Sequence, residues 1–350
     1  MNSNLFICTT PYDIFNVINL KMNIYKNFES DIIILNNFEN SIEYVDAIKK
    51  TEMFKRVMYI KNIYKENFSK KITLNKIINR IIEIFDAHEI YGINKIKDYD
   101  IICCSYNERI CRVIYQRLAK KKKVKIDLFE DGISSYLEVP FINNNKLHYI
   151  FNKKEYILNC LYLYNKELIC WENNFLHKEN IPKLDEIEKE HMYNIFKFNN
   201  KKYEFRNIIY LDQPIEELKI GIGRKDIADF IIKNINTEYL TLKMHPRQQN
   251  FDYDKYKFQI INDNTLPWEV MCSMINNKVI ITFHSTAALT PLFLYNNNNK
   301  IIFLYKIFSK QCMDERIEKF LEKCKSEYLN KVFIPENEDD LIKIINKIIE

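Results

Sequence analysis

Four short stretches of this chain bring together side chains that can move a proton or hold an anion. In "LFEDG" (128–132), Glu130 and Asp131 follow an apolar run and precede Gly132, one of only four glycines. Two crowded carboxylates can hold one member with a raised pKa, able to take a proton from a hydroxyl. An acidic turn with glycine at positive φ would use the same residues. In "KMHPR" (243–247) a strand-like run ends in His245, Pro246 and Arg247. Asn, Asp or Gly would make a turn there. An imidazole and a permanent guanidinium charge, set at an angle by proline, instead suit an anion. In "NTLPWEV" (264–270) Glu269 lies in a first helical turn, where it complements the helix dipole and can also accept the two hydroxyls of a ribose. In "TFHST" (282–286) Ser285 and Thr286 stand between a strand and a helix. Hydroxyls there either cap the helix or join its free N–H groups in binding phosphate.

The elements that must position these residues alternate along the whole chain. Apolar, β-rich runs are read at 4–10, 31–37, 56–60, 100–106 and 124–130, then at 207–212, 239–244, 258–262, 278–283 and 300–305. Helix-length amphipathic stretches intervene, including 107–123 and 285–297. Continuous apolar strands separated by helices predict parallel sheets covered on both faces. The two series predict two doubly wound α/β domains. The expected boundaries are 1–150 for the first domain and 151–205 for an aromatic, charged, helical connection. A second domain is expected over 206–335 and a closing amphipathic helix over 336–350. Ligands of such sheets bind beyond the carboxyl ends of the strands, which is where "LFEDG", "YLDQPIEE" (210–217), "KMHPR" and "TFHST" fall.

Composition narrows the function classes. The chain has 350 residues, of which 47% are hydrophobic, enough for two cores. Its net charge of +5 suits an anionic ligand but no nucleic-acid motif accompanies it, so nucleic acid is not expected as a partner. The nine cysteines form no CxxC pair and several sit in apolar runs, which predicts reduced, buried thiols and a cytoplasmic protein. No signal peptide is recognised at the N-terminus, and no apolar run approaches membrane-spanning length. "GIGR" (221–224) lacks the third glycine of a dinucleotide fingerprint. The two "DYD" triplets flank a buried strand or lie in a charged loop, and "KKKK" (120–123) suits a helix C-terminus. Histidines 88, 148, 177, 191 and 284 make no ligand spacing, so no metal is predicted.

Taken in order, "FEDG", "HPR", "PWE" and "FHSTAAL" resemble the motifs of bacterial sialyltransferases with two Rossmann-like domains facing a cleft, the GT-B architecture. The likeness is to glycosyltransferase family 52, the capsule and lipooligosaccharide sialyltransferases. It extends to related polysialyltransferases, which share the acid-acid-Gly and His-Pro motifs. "ICTTPYD" (7–13) is similar to that family's first strand and loop, and the spacing from His245 to Glu269 and Ser285 suits the pattern.

The resemblance implies roles. His245, beside Pro246 and Arg247, would meet the leaving phosphate of CMP-sialic acid. Ser285 and Thr286 would hold the same phosphate, and Glu269 would grip the ribose. Asp131 or Glu130 would deprotonate the acceptor hydroxyl. In some members of the family the base follows the first strand of the second domain; here that stretch is "LDQPIEE" (211–217), which makes Glu216 or Glu217 a second choice. The implied reaction is a metal-independent single displacement with inversion, moving sialic acid to a terminal sugar, galactose by expectation, of a bacterial surface glycan. The implied acceptor can be lipid-linked, which would bring the protein to the inner face of the membrane; homodimers occur in the family. A glucosyltransferase of the same fold, or a nucleotide-binding assembly protein without catalysis, are the alternatives.

Overall fold

The computed structural model describes residues 3–38, 40–60, 96–105, 109–139, 155–173, 175–198, 203–218, 221–245, 253–263, 266–295, 297–308 and 314–349. It divides into two compact units. The first comprises Met1–Lys166, Trp171–Pro182 and Glu186–Phe196; the second comprises Glu167–Cys170, Lys183–Asp185 and Lys197–Glu350.

The first unit is built on seven parallel strands: β1 (Ser3–Cys8), β2 (Glu29–Leu35), β3 (Arg56–Ile60), β4 (Ile101–Cys104), β5 (Lys125–Phe129), β6 (Leu158–Leu163) and β7 (His177–Asn180). Their order is β3-β2-β1-β4-β5-β6-β7. β1 runs "SNLFIC" and is buried from its second residue onward, as a strand covered on both faces must be. The helix Pro11–Asn23 follows at once, because Thr10 caps it, Asp13 closes a capping box and proline occupies its first turn.

The second unit repeats the plan with β8 (Ile208–Leu211), β9 (Leu240–Lys243), β10 (Gln259–Ile261), β11 (Val279–Thr282), β12 (Lys300–Phe303) and β13 (Val332–Phe333). All are parallel, in the order β10-β9-β8-β11-β12-β13. The order reverses between β8 and β11, as it does between β1 and β4 in the first sheet. At such a point two neighbouring strand ends send their chains to opposite faces and leave a crevice. The amphipathic helix Glu338–Ile349 begins with three acids and buries Leu341 and Ile345.

The fold class agrees with the expectation of two doubly wound α/β domains. The stretch 151–205 differs from the helical connection expected there. Its described residues supply β6 and β7 to the first sheet and one α-helix, Glu186–Ile195. Pairing decides this: Asn159 Nδ2 and Cys160 N both donate to the buried Asp127 of β5, at 2.7 and 3.1 Å. The stretch 285–297, expected as one helix, is a short 3-10 turn over Thr286–Leu289 followed by the helix Thr290–Leu294. Pro291 accounts for the break, since it brings no N–H to continue the ladder. The described cysteines are free, and all but the half-buried Cys170 are buried. Among the described residues no helix is long and apolar enough to cross a membrane.

Candidate active site

In the first unit the chemistry gathers at the carboxyl end of β5. Glu130 is the first residue beyond the strand and is almost fully buried. Its Oε1 accepts from the Tyr12 hydroxyl at 3.0 Å. Its Oε2 accepts from the Tyr136 hydroxyl and from the Tyr164 N–H, the latter at 3.0 Å. Asn16 Nδ2 donates to the Glu130 carbonyl at 3.0 Å. The first helix, the end of β6 and the turn Ser134–Leu137 are therefore tied to one carboxylate. Burial pushes Glu130 from its ordinary 4.5 up to about 7, with the hydrogen bonds from Tyr136, Tyr164 and Tyr12 opposing the rise.

Asp131 is half-buried and follows directly. Its N–H donates to Ser135 Oγ at 2.9 Å, and its carbonyl accepts from Ser134 Oγ at 3.3 Å. Gly132 sits at φ 76°, a conformation that favours glycine, so the turn requirement for "EDG" is real. It fixes the backbone around Asp131, which stays half-buried.

Glu130 carries a stability consequence with a definite sign. Its folded value lies above its unfolded value, so the native state holds the extra proton between them. The contribution is complete below pH 4.5 and lost as the pH rises through about 7. The span corresponds to about 3 kcal/mol. In urea titrations from pH 4.5 to 8, wild type should lose about that much relative to Glu130→Gln, which cannot titrate. Parallel stability curves would contradict the assignment.

In the second unit the candidates converge at the ends of β8, β9 and β11. Asp212, one residue beyond β8, is buried; its Oδ1 accepts from the Tyr253 hydroxyl at 2.8 Å. Burial raises its pKa, opposed by the Tyr253 hydroxyl, the Gln213 N–H, Arg224 and the His245 N–H. Asp212 thus holds the chain at His245 and at Tyr253, on either side of the segment between them. His245 itself is half-buried, two residues beyond β9. Lys243, the last residue of β9, is buried, and its Nζ donates to the carbonyls of Met244 and Asp263 at 3.0 and 3.2 Å. Burial lowers it to about 8, against the charges of Asp263, Glu269 and Asp212.

Glu269 lies in the short helix Trp268–Met271, half-buried. Trp268 Nε1 donates to the Ala287 carbonyl at 2.7 Å, which locks that turn onto the one carrying Ser285 and Thr286. Ser285 occupies the N-cap position of the 3-10 turn without making a side-chain cap. Among the described residues neither its hydroxyl nor that of Thr286 has a protein partner, so capping does not explain either residue.

The expected residues sort as follows. His245, Glu269, Ser285 and Thr286 share the carboxyl edge of the second sheet, and Glu130 with Asp131 the carboxyl edge of the first. Pro246, Arg247 and the side chain of Glu217 lie outside the described residues. Glu216 is placed differently from the base role considered for it: its carboxylate takes the Arg224 N–H and Nε, at 2.9 to 3.1 Å. Burial works against its charge, but the bonds from its own backbone and Arg224 prevail and hold it below the usual range. Such an acid is a poor acceptor of a substrate proton.

Sequence reading missed Asp212, Lys243 and the partnership of Gln213 with His284. Their signal is the adjacency of β8, β9 and β11, which spacing does not reveal. It also missed that ligating atoms of Cys160, His177 and Glu179 lie within 4.8 Å of one another across β6 and β7. There the imidazole is already hydrogen-bonded to Glu179 at 2.8 Å.

Comparison with known proteins follows the same lines. A family model described as Alpha-2,8-polysialyltransferase (POLYST) matches residues 4–305. No curated protein matches the chain. Arabidopsis thaliana UGT89C1 complexed with UDP superposes with a TM-score of 0.57 at 11% identity, covering 100% of this chain and 91% of that one. The spinosyn rhamnosyltransferase SpnG gives 0.51 at 8% identity over 100% and 91%. LpCGTa in complex with UDP gives 0.52 at 7% identity over 99% and 90%. At such identities these similarities establish the two-domain GT-B fold and nothing finer. The match over residues 4–305 establishes descent as well: the chain belongs to the alpha-2,8-polysialyltransferase family of glycosyltransferases.

Proposed function

We propose that this protein is an inverting sialyltransferase that moves sialic acid from CMP-sialic acid to a hydroxyl of a bacterial surface glycan, without a metal. The observation that carries the reading is the pair of hydroxyls on Ser285 and Thr286. They are held beside the Glu269 turn at the reversal point of the second sheet and, among the described residues, meet no protein partner. A phosphate ester is the ligand such a place suits.

The bond to be broken joins the anomeric carbon of sialic acid to the phosphate oxygen, and CMP leaves with the electron pair. Ser285, Thr286 and His245 offset the charge that builds on the phosphate. Glu269 holds the ribose, and Arg247 adds fixed positive charge. The acceptor oxygen attacks the face opposite the leaving group, and its proton passes to Asp131. Glu130 orders that strand end; with both oxygens engaged by Tyr12, Tyr136 and Tyr164, it acts as the positioning carboxylate. One base, one phosphate clamp and no nucleophile amount to a single displacement.

The family's name points to the 8-hydroxyl of a terminal sialic acid as acceptor. A galactose hydroxyl, as in the capsule and lipooligosaccharide enzymes of glycosyltransferase family 52, is the second reading. A lipid-linked acceptor would place the reaction at the membrane surface, and a homodimer is compatible with it. The test is NMR analysis of products formed in EDTA from CMP-sialic acid with sialyllactose and, separately, lactose. A product of opposite anomeric configuration to the donor is expected. Retained configuration, or transfer only from a UDP-sugar, would overturn the reading.

A further inference from the structure

The topology of the second sheet brings together two residues 71 positions apart. Gln213 stands two residues beyond β8 and His284 two beyond β11, and these strands are neighbours at the point where the order reverses. Gln213 Oε1 accepts the backbone N–H of His284 at 3.1 Å, while Gln213 Nε2 lies 2.9 Å from His284 Nδ1.

These two contacts determine the tautomer. A backbone N–H can only donate, so the amide oxygen must face it, and the NH2 group must face the ring. An NH2 group can only donate, so Nδ1 is bare and the imidazole proton is on Nε2. An imidazolium would set one N–H against another. Burial lowers the pKa of His284, opposed by a hydrogen bond to its own backbone, so the neutral ring is favoured.

The ring is half-buried, and among the described residues its hydrogen bonds run to Gln213, with no acceptor for Nε2–H. Among the described residues the hydroxyls of Ser285 and Thr286, the next two residues, likewise have no protein partners. Three consecutive residues thus present unsatisfied hydrogen-bond donors at the sheet's ligand-binding edge. A donor kept bare beside a fold-determined crevice, with its orientation fixed by a second side chain, suits a preorganised anion contact.

We propose that His284, oriented by Gln213, is a nucleotide-binding residue whose Nε2–H hydrogen-bonds an anionic phosphate oxygen of the sugar nucleotide. The inference rests on the reading that the second unit binds that nucleotide. It gives His284 a role separate from that of His245: a fixed neutral donor to the phosphate, with no proton to transfer.

The test is calorimetric binding of CMP and, separately, UDP to the full-length protein, with thermal melts to establish folding. His284→Phe keeps an aromatic ring beside Phe283 and removes the donor; it should weaken CMP binding about 10- to 100-fold. His284→Gln keeps an N–H donor and should recover most of that loss, which a packing role would not allow. Imidazole 15N spectra should show the Nε2-protonated form in wild type and a mixture of tautomers in Gln213→Met. Unchanged CMP affinity in His284→Phe would overturn the inference while leaving the sialyltransferase reading intact. UDP binding that excludes CMP yet still needs His284 would support the inference and remove CMP-sialic acid as donor. Failure of both nucleotides to bind wild type would overturn both.

Discussion

His245→Ala should lower turnover about 10²- to 10³-fold, with a much smaller change in donor KM and an unchanged melting temperature. The size follows from what the side chain is asked to meet. Phosphate charge is greatest when the glycosidic bond is nearly broken, so a partner aimed there acts on kcat more than on binding. The fold should tolerate the change because the strand is anchored elsewhere. Leu240, Leu242 and Lys243 are buried, and Asp212 holds the backbone N–H of residue 245 rather than its ring. Steady-state kinetics of CMP formation with saturating acceptor would measure it. A fall of less than about threefold would remove His245 from the leaving-group clamp.

Asp131→Asn should cost about 10²- to 10⁴-fold in acceptor-dependent transfer. Glu130→Gln should cost less at neutral pH, because the amide oxygen can still accept from the Tyr164 N–H and Tyr136 while its NH2 donates to the Tyr12 hydroxyl oxygen, and it fills the same buried site. The ordering is the informative part. Two adjacent acids differ here in burial: Glu130 is enclosed by two tyrosine hydroxyls and a backbone N–H, whereas Asp131 is half-buried. A proton leaving a bulky glycan hydroxyl must reach a carboxylate with some exposure. Slow donor hydrolysis by water should be less sensitive than transfer in Asp131→Asn. The reverse ordering, with Glu130→Gln the more damaged, would make Glu130 the base and its raised pKa a functional property.

Much of this architecture was legible because buried parallel strands write themselves as apolar runs. "DIIIL" and "VIIT" are of this kind, and "RVMYI" matches β3 end to end. β6 was not legible because its apolar run, "LNCLYL", is interrupted by Asn159, whose reason is Asp127 on the neighbouring strand. β7, "HKEN", has no apolar residue at all; it is an edge strand held by its pairing with β6 and by polar contacts such as that of Lys178 Nζ with the Asn173 carbonyl at 2.9 Å. The site divides in the same way. Glu130, Asp131, His245, Ser285 and Thr286 were visible as polar residues where a strand pattern stops, and Glu269 as an acid in a first helical turn. His284 was passed over because its partner, Gln213, becomes adjacent only once β8 and β11 pair. Glu216 was considered as a base because spacing does not show the guanidinium that claims it.

The measurement that bears most directly on the sialyltransferase account is the rate of CMP release from CMP-sialic acid in EDTA, with and without a sialylated or galactoside acceptor. The account predicts release that the acceptor stimulates, that EDTA leaves unchanged, and that collapses in both His245→Ala and Asp131→Asn. Absence of CMP release with either acceptor from folded wild-type protein would contradict it, as would release abolished by EDTA and restored by a divalent cation.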